Sequence, residues 1–193
     1  MRRILLILTL LVPFVTTAQI PALVDTSLFS TYSLQHSRGQ EEFIAIKKEP
    51  LNVLVFLSPE CPLSINYTKP LNELASQYDG KVRFIGIVPG KSYSAATVQE
   101  FVTEYSLKFD VYIDKEKRFT KAAKATITPE VVVFSTAGNI IYRGAIDDWA
   151  IAVGKKKQKA YNKYLNNAIQ AFLLGKEISV KSTKPVGCLI NDY

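Results

Sequence analysis

The sequence predicts one α/β domain: a mostly parallel sheet with an antiparallel hairpin at one edge and helices on both faces. Three observations predict it. Residues 52–57 and 82–88 are nearly unbroken apolar, β-branched runs, the pattern of strands buried on both faces. Stretches of helical spacing alternate with such runs, which calls for crossover connections. Residues 130–135 and 140–144 flank Ala137-Gly138-Asn139, a hairpin signal. The resulting order is βαβαβαββα. At 193 residues, with 48% hydrophobic and 21% charged residues, the composition excludes collagen, coiled coil, disordered polymer and polytopic membrane protein.

Taken in order, Met1-Arg2-Arg3 is a positive start, 4–15 is apolar apart from Thr9 and Pro13, and Thr16-Thr17-Ala18 supplies small residues for cleavage. A dozen apolar residues fall short of the ~20 needed to span a bilayer, so 1–18 is expected to be a cleaved signal peptide and the protein periplasmic or secreted. Removing it leaves a mature chain of about 175 residues, which can bury its own core without disulfides and has no membrane span. The net charge is +7, of which Arg2 and Arg3 lie in the leader, leaving a mildly basic +5. Residues 19–40 form a polar lead-in, 41–175 the domain and 176–193 an irregular tail. Within the domain, 43–46 suits a short strand turned away by Lys47-Lys48-Glu49-Pro50. After strand 52–57, a helix begins at Cys61, with Pro62 suited to its first turn, Pro70 kinking it and Asp79-Gly80 stopping it. Strand 82–88, helix 95–105, strand 111–113, helix 117–125, the hairpin and helix 161–174 complete the series.

One constellation carries chemistry. Cys61 sits between a buried strand and a helix start, where unpaired N–H groups and the helix dipole stabilise a thiolate and lower the pKa below about 8.5. A nucleophilic thiol is the expectation. Further on, Thr128-Pro129 directly precedes the strand at 130–135, and Pro129 is a candidate for a cis bond that brings backbone polar groups beside the cysteine.

With Ser58-Pro59-Glu60-Cys61-Pro62-Leu63-Ser64 after a buried strand, then a kinked helix, a strand, a helix, Thr-Pro, a hairpin and a helix, residues 52–174 resemble the thioredoxin superfamily, specifically its exported redoxin branch related to the alkyl hydroperoxide reductase/thiol-specific antioxidant proteins. Two further patterns resemble peroxiredoxin-like bacterial proteins: Thr183-Lys184-Pro185-Val186-Gly187-Cys188-Leu189-Ile190 in the tail and Tyr142-Arg143-Gly144-Ala145-Ile146-Asp147-Asp148 after the hairpin. The resemblance implies a thioredoxin-like fold with a mixed central sheet, Cys61 as active-site thiol and Pro129 as cis-proline. The chain departs from the thioredoxin pattern at Ser64, where a second cysteine would stand, so dithiol exchange inside the motif is excluded. Against a peroxiredoxin pattern, Ser58 fits three residues before the cysteine, Leu54 replaces a proline, and Arg143 is a candidate for the peroxide-binding arginine.

Cys188 offers the second thiol. A tail turning back over the sheet would let it resolve a mixed disulfide or sulfenic acid on Cys61. Two cysteines in an oxidising compartment also fit a permanent structural disulfide, and a non-enzymatic binding module is the corresponding alternative. Ser58, Pro62, Ser64, Thr128, Pro129 and Arg143 are the expected substrate-side residues, with the Thr128 backbone pairing an extended substrate. Partners are protein thiols or disulfides, or a small oxidant. Neither cofactor nor metal is expected: Cys61, Cys188 and His36 would suit Cu(I), but the close cysteine pair of copper chaperones is missing and His36 reads as a solvated surface residue. Asp147-Asp148 reads as a turn cap before a catalytic pair, Trp149 as core packing before a groove cover, and Lys155, Lys156, Lys157, Lys159 and Lys163 as a wet helix start. Nucleic acid is not expected without interleaved aromatic and basic positions.

Overall fold

A computed structural model of the chain describes residues 24–44 and 49–191. The leader, its cleavage point and residues 45–48, where the expected strand 43–46 meets the expected turn 47–50, lie outside the described residues. The elements run α1 (Leu28–Thr31), β1 (Ser33–His36), β2 (Glu41–Phe43), β3 (Leu51–Phe56), α2 (Pro62–Gln77), β4 (Val82–Pro89), α3 (Ala95–Glu104), β5 (Val111–Asp114), α4 (Arg118–Ala122), β6 (Ile127–Thr128), β7 (Glu130–Ser135), β8 (Ile140–Gly144), β9 (Ala150–Ala152), β10 (Lys155–Lys156), α5 (Tyr164–Leu173) and β11 (Cys188–Leu189). This is a thioredoxin-like fold.

Seven strands form the main sheet in the order β2-β1-β5-β4-β3-β7-β8. Only the β3–β4 and β4–β5 pairs are parallel; β7 runs antiparallel to β3 in the middle of the sheet. The sheet is therefore mixed rather than mostly parallel. Helix–strand alternation sets the spacing between strands, but the direction in which β7 enters is decided by the chain's path after α4.

The apolar run of β3 is fully buried because both faces are covered. Val53 and Val55, with Val131, Val133 and Tyr142, pack under Tyr67 and Leu71 of α2 and Leu165, Ala168 and Ile169 of α5. Leu54 and Phe56, with Ile85, Ile87, Val132 and Phe134, pack under Phe29 of α1 and Phe119 and Ala123 around α4. At ~1.5–3 kcal/mol per fully buried large side chain, these two layers fix the sheet as the rigid base of the site. Pro70 lies inside α2, where its ring cannot donate to the preceding turn.

Two segments differ from the sequence reading. The lead-in is part of the sheet: β1 pairs with β5, and Val24, Phe29 and Leu34 are core residues. Its polar composition conceals a strand with alternate residues turned inward. The tail is likewise ordered, held to β8 by an Arg143–Ser182 bridge and to β6 by β11. Smaller differences follow from local packing. Lys155 and Lys156 belong to the β9–β10 hairpin rather than to a helix start, and α5 begins at Tyr164. Trp149 packs edge-on against Tyr67, with ring centroids 5.7 Å apart. Among the described residues no helix is long and apolar enough to cross a membrane.

Candidate active site around Cys61 and Cys188

Cys61 is the N-cap of α2. Its extended backbone (φ −78°, ψ 116°) ends the loop after β3, and Pro62 occupies the first turn, where a missing N–H costs nothing. The Cys61 N–H donates to Ser58 O (3.1 Å), closing a tight turn over the motif. The side chain is only 2% exposed, more buried than the sequence suggests, and its Sγ donates to Thr128 O at 3.1 Å. The Thr128–Pro129 peptide is cis.

Cys188 arrives on β11, which pairs antiparallel with β6 so that Cys188 lies opposite Thr128 and Leu189 opposite Ile127. The carbonyl that Cys61 touches therefore belongs to the residue paired with Cys188, and the two cysteines line one cavity. Both cysteines are free.

The two thiols differ in acidity. Burial raises the pKa of Cys61, but the S–H of Cys188, the N–H and hydroxyl of Ser64 and the N–H of Cys188 all favour its thiolate, and the pKa falls below the usual thiol value. Thr128 O opposes them, since it accepts only from the protonated sulfur; several donors outweigh one acceptor. Ser64 is buried below the motif and its Oγ accepts from Ser58 N at 3.2 Å, which leaves the hydroxyl hydrogen to turn toward sulfur. Cys188 moves the other way, to about 11, through burial, its hydrogen bond to Cys61 and the charge of Cys61.

A cavity of about 520 Å³ opens beside the sulfurs, lined among others by Ser58, Glu60, Tyr93, Lys117, Thr128 and Cys188. Its wall is polar. The Tyr93 hydroxyl donates to Glu60 Oε2 (3.2 Å), leaving its oxygen to accept from Ser58 Oγ at 3.0 Å. Lys117 is held by the turn after β5, where Asp114 accepts from Arg118 N (2.9 Å), Thr120 N (2.8 Å) and Thr120 Oγ1 (2.8 Å). The Lys117 ammonium in turn donates to the Asn191 carbonyl in the tail.

Of the sequence-predicted residues, Cys61, Cys188, Ser58 and Thr128 share this cavity and Ser64 supports it from below. Pro62 is an exposed first-turn residue, and Pro129 is buried beside a separate small cleft with Tyr67 and Ile146. Arg143 is not in the site. Strand alternation turns it to the face opposite Tyr142, where its guanidinium donates to the Ala123 carbonyl beside α4. His36 is buried rather than solvated, its Nε2 3.3 Å from Asp110 Oδ1, and it borders a different cavity from the thiols. Among the described residues no group of three His, Cys, Asp or Glu could hold a metal. Asp147 accepts from the Tyr67 hydroxyl (2.6 Å) and Trp149 N (2.9 Å), and Asp148 from Lys157 Nζ (2.6 Å) and Tyr161 N (2.7 Å), so both carboxylates brace the loop after β8.

Sequence reading missed Glu60, Tyr93, Lys117 and Glu130. Glu130 Oε2 accepts from Thr126 N (2.9 Å) and Ile127 N (3.3 Å) and so positions the segment before the cis-proline. Its place directly after Thr-Pro and that of Glu60 directly before Cys61 were the available signals; Tyr93 and Lys117 come from distant loops.

Comparison with known proteins gives the same frame. A hypothetical protein from Sinorhizobium meliloti 1021 superposes with a TM-score of 0.73 at 23% identity, covering 82% of this chain and 89% of that one. An uncharacterized conserved protein from Geobacillus kaustophilus gives 0.72 at 22% identity, covering 84% and 88%. A secreted Mycobacterium tuberculosis disulfide oxidoreductase homologous to E. coli DsbE gives 0.55 at 19% identity, covering 72% and 95%. No curated protein matches the chain significantly. The Redoxin family model matches residues 17–154, which span the lead-in strands, the Cys61 motif and the cis-proline while stopping short of Cys188. On that match over most of its length, the chain belongs to the Redoxin family.

Proposed function

We propose that this protein is an exported thiol oxidoreductase in which Cys61 is the nucleophile and Cys188 the resolving thiol. The carrying observation is that β11 lays Cys188 opposite Thr128, whose carbonyl accepts from Cys61 Sγ, so that two thiols of differing acidity, one depressed and one raised, line one cavity. The leader-like N-terminus and the similarity to a secreted oxidoreductase support export.

With a disulfide substrate, the Cys61 thiolate attacks one sulfur, forms a mixed disulfide and expels the other sulfur as a thiolate. With a hydroperoxide it takes the terminal oxygen, leaving Cys61 as a sulfenic acid and releasing an alcohol after protonation. Either event removes the negative charge on Cys61. Cys188, whose acidity that charge had suppressed, then ionises more easily and attacks the Cys61 sulfur, expelling the second substrate thiolate or hydroxide. The product is a Cys61–Cys188 disulfide, and an external dithiol reductant restores the starting state. Ser64 holds the thiolate, and Ser58, Tyr93 and Glu60 shape the approach.

The test is Cys188→Ser treated with a small disulfide. Intact mass should show a persistent adduct on Cys61 and turnover should fall by at least ~10-fold, the scale of losing a covalent step. Normal turnover in Cys188→Ser would overturn the resolving role. A bridge that a dithiol cannot open in the wild-type chain would instead support the binding-module reading.

A further inference from the structure

The backbone edge beside Cys61 is already in use. In the sequence reading Thr128 pairs with an extended substrate, yet in the fold that edge hydrogen-bonds to β11. The occupation continues along the tail. Ile190 N donates to Thr126 O (2.9 Å), Thr128 Oγ1 donates to Cys188 O (3.4 Å), and Lys117 holds the Asn191 carbonyl. Gly187 is essential to the fit, because a Cβ there would lie 2.0 Å from Thr128 O. Upstream, Gly144 and Thr183 make an equally close contact: Gly144 has φ +129°, and a Cβ on it would lie 2.2 Å from Thr183 O. Ile190 also packs against the core beneath.

Strand addition needs unpaired N–H and C=O groups along an edge. β6 has two residues before the cis-proline, and β11 takes both. The open route to Cys61 is the 520 Å³ cavity on the Tyr93 side, a volume that suits a small molecule.

Resting on the reading of Cys61 as nucleophile, we propose that β11 is a resident strand in the polypeptide-docking edge of the site, so that a protein partner pairs with Thr128 only in exchange for the tail. Access of polypeptides is then governed by tail release, whereas small disulfides use the cavity independently. Because Cys188 travels on the same strand, displacing it also withdraws the resolving thiol and prolongs the mixed disulfide with a polypeptide.

The experiment uses the full chain with Cys188→Ala, so that each attack on a probe stops at the mixed disulfide. Two probes share a leaving group: an unstructured peptide whose single cysteine is capped with thionitrobenzoate, and the small symmetrical disulfide of thionitrobenzoate. In each, the Cys61 thiolate bonds to one sulfur and thionitrobenzoate leaves as a coloured thiolate. Two changes to the tail, Gly187→Ala and Ile190→Asp, are introduced separately, and amide hydrogen exchange at Thr128 and Ile190 identifies the variant that undocks. Undocking should speed the peptide reaction at least ~10-fold while the small probe changes by less than ~2-fold, since only the former requires the edge. Equal acceleration of both probes would make the tail a general cover and overturn the proposal, as would undocking with no gain for the peptide. Failure of the small probe to react at Cys61 in any variant would instead overturn the nucleophile reading, so the two failures are distinguishable.

Discussion

At Cys61 the balance is between burial, which disfavours charge, and a set of short donors that favours it. Cys188 and Ser64 each supply a backbone and a side-chain donor, and Ser64 does so from the third residue of the helix that Cys61 caps. Alkylation of Cys61 follows the thiolate fraction, so its rate rises with pH and levels off above the pKa. Ser64→Ala removes a donor to the charged form, raising the pKa and shifting the profile to higher pH. At neutral pH the variant should alkylate more slowly, while the two rates converge in alkali. An iodoacetamide pH series checks this; an unmoved profile would show that the Ser64 hydroxyl does not support the thiolate. Cys61 itself was legible from strand, cysteine, proline and helix in succession. Arg143 was misplaced because its motif spacing says nothing about which face of β8 it occupies.

At the scale of elements, the tail depends on two glycines. Gly144 adopts a backbone conformation that side chains rarely take, and the neighbouring ladder runs from Arg143 N to Lys181 O (3.1 Å) and from Thr183 N to Arg143 O (3.0 Å). Gly144→Ala combines a disfavoured φ with a collision against Thr183 and should cost about 1–3 kcal/mol. Urea unfolding measures the loss, and faster hydrogen exchange at Arg143 and Thr183 locates it. Unchanged exchange there would mean that this contact does not hold the tail. The strands at 52–57 and 82–88 were readable because continuous apolar runs need burial on both faces. β1, β6 and β11 were not, since strands of two to four residues exist only where a neighbouring edge satisfies them.

Across the whole molecule, Cys61 and Cys188 bracket most of the folded chain. Joining them closes a loop of more than a hundred residues, which in the chain-entropy account restricts the unfolded state by about 4–5 kcal/mol. The oxidised protein should therefore unfold at a higher guanidinium concentration than the reduced one, with the difference abolished in Cys188→Ser. Equal midpoints for both forms would indicate a strained bridge. Sequence by itself determined the α/β class, the place of Cys61 at a helix start and the cis-proline position, because burial pattern, helix start and proline chemistry are local properties. Only tertiary structure decided that β7 runs antiparallel, that the lead-in joins the sheet, that Arg143 and His36 lie elsewhere, and that Cys188 pairs with Thr128. Those outcomes depend on strand direction and on contacts between residues remote in the chain, which local preference leaves free.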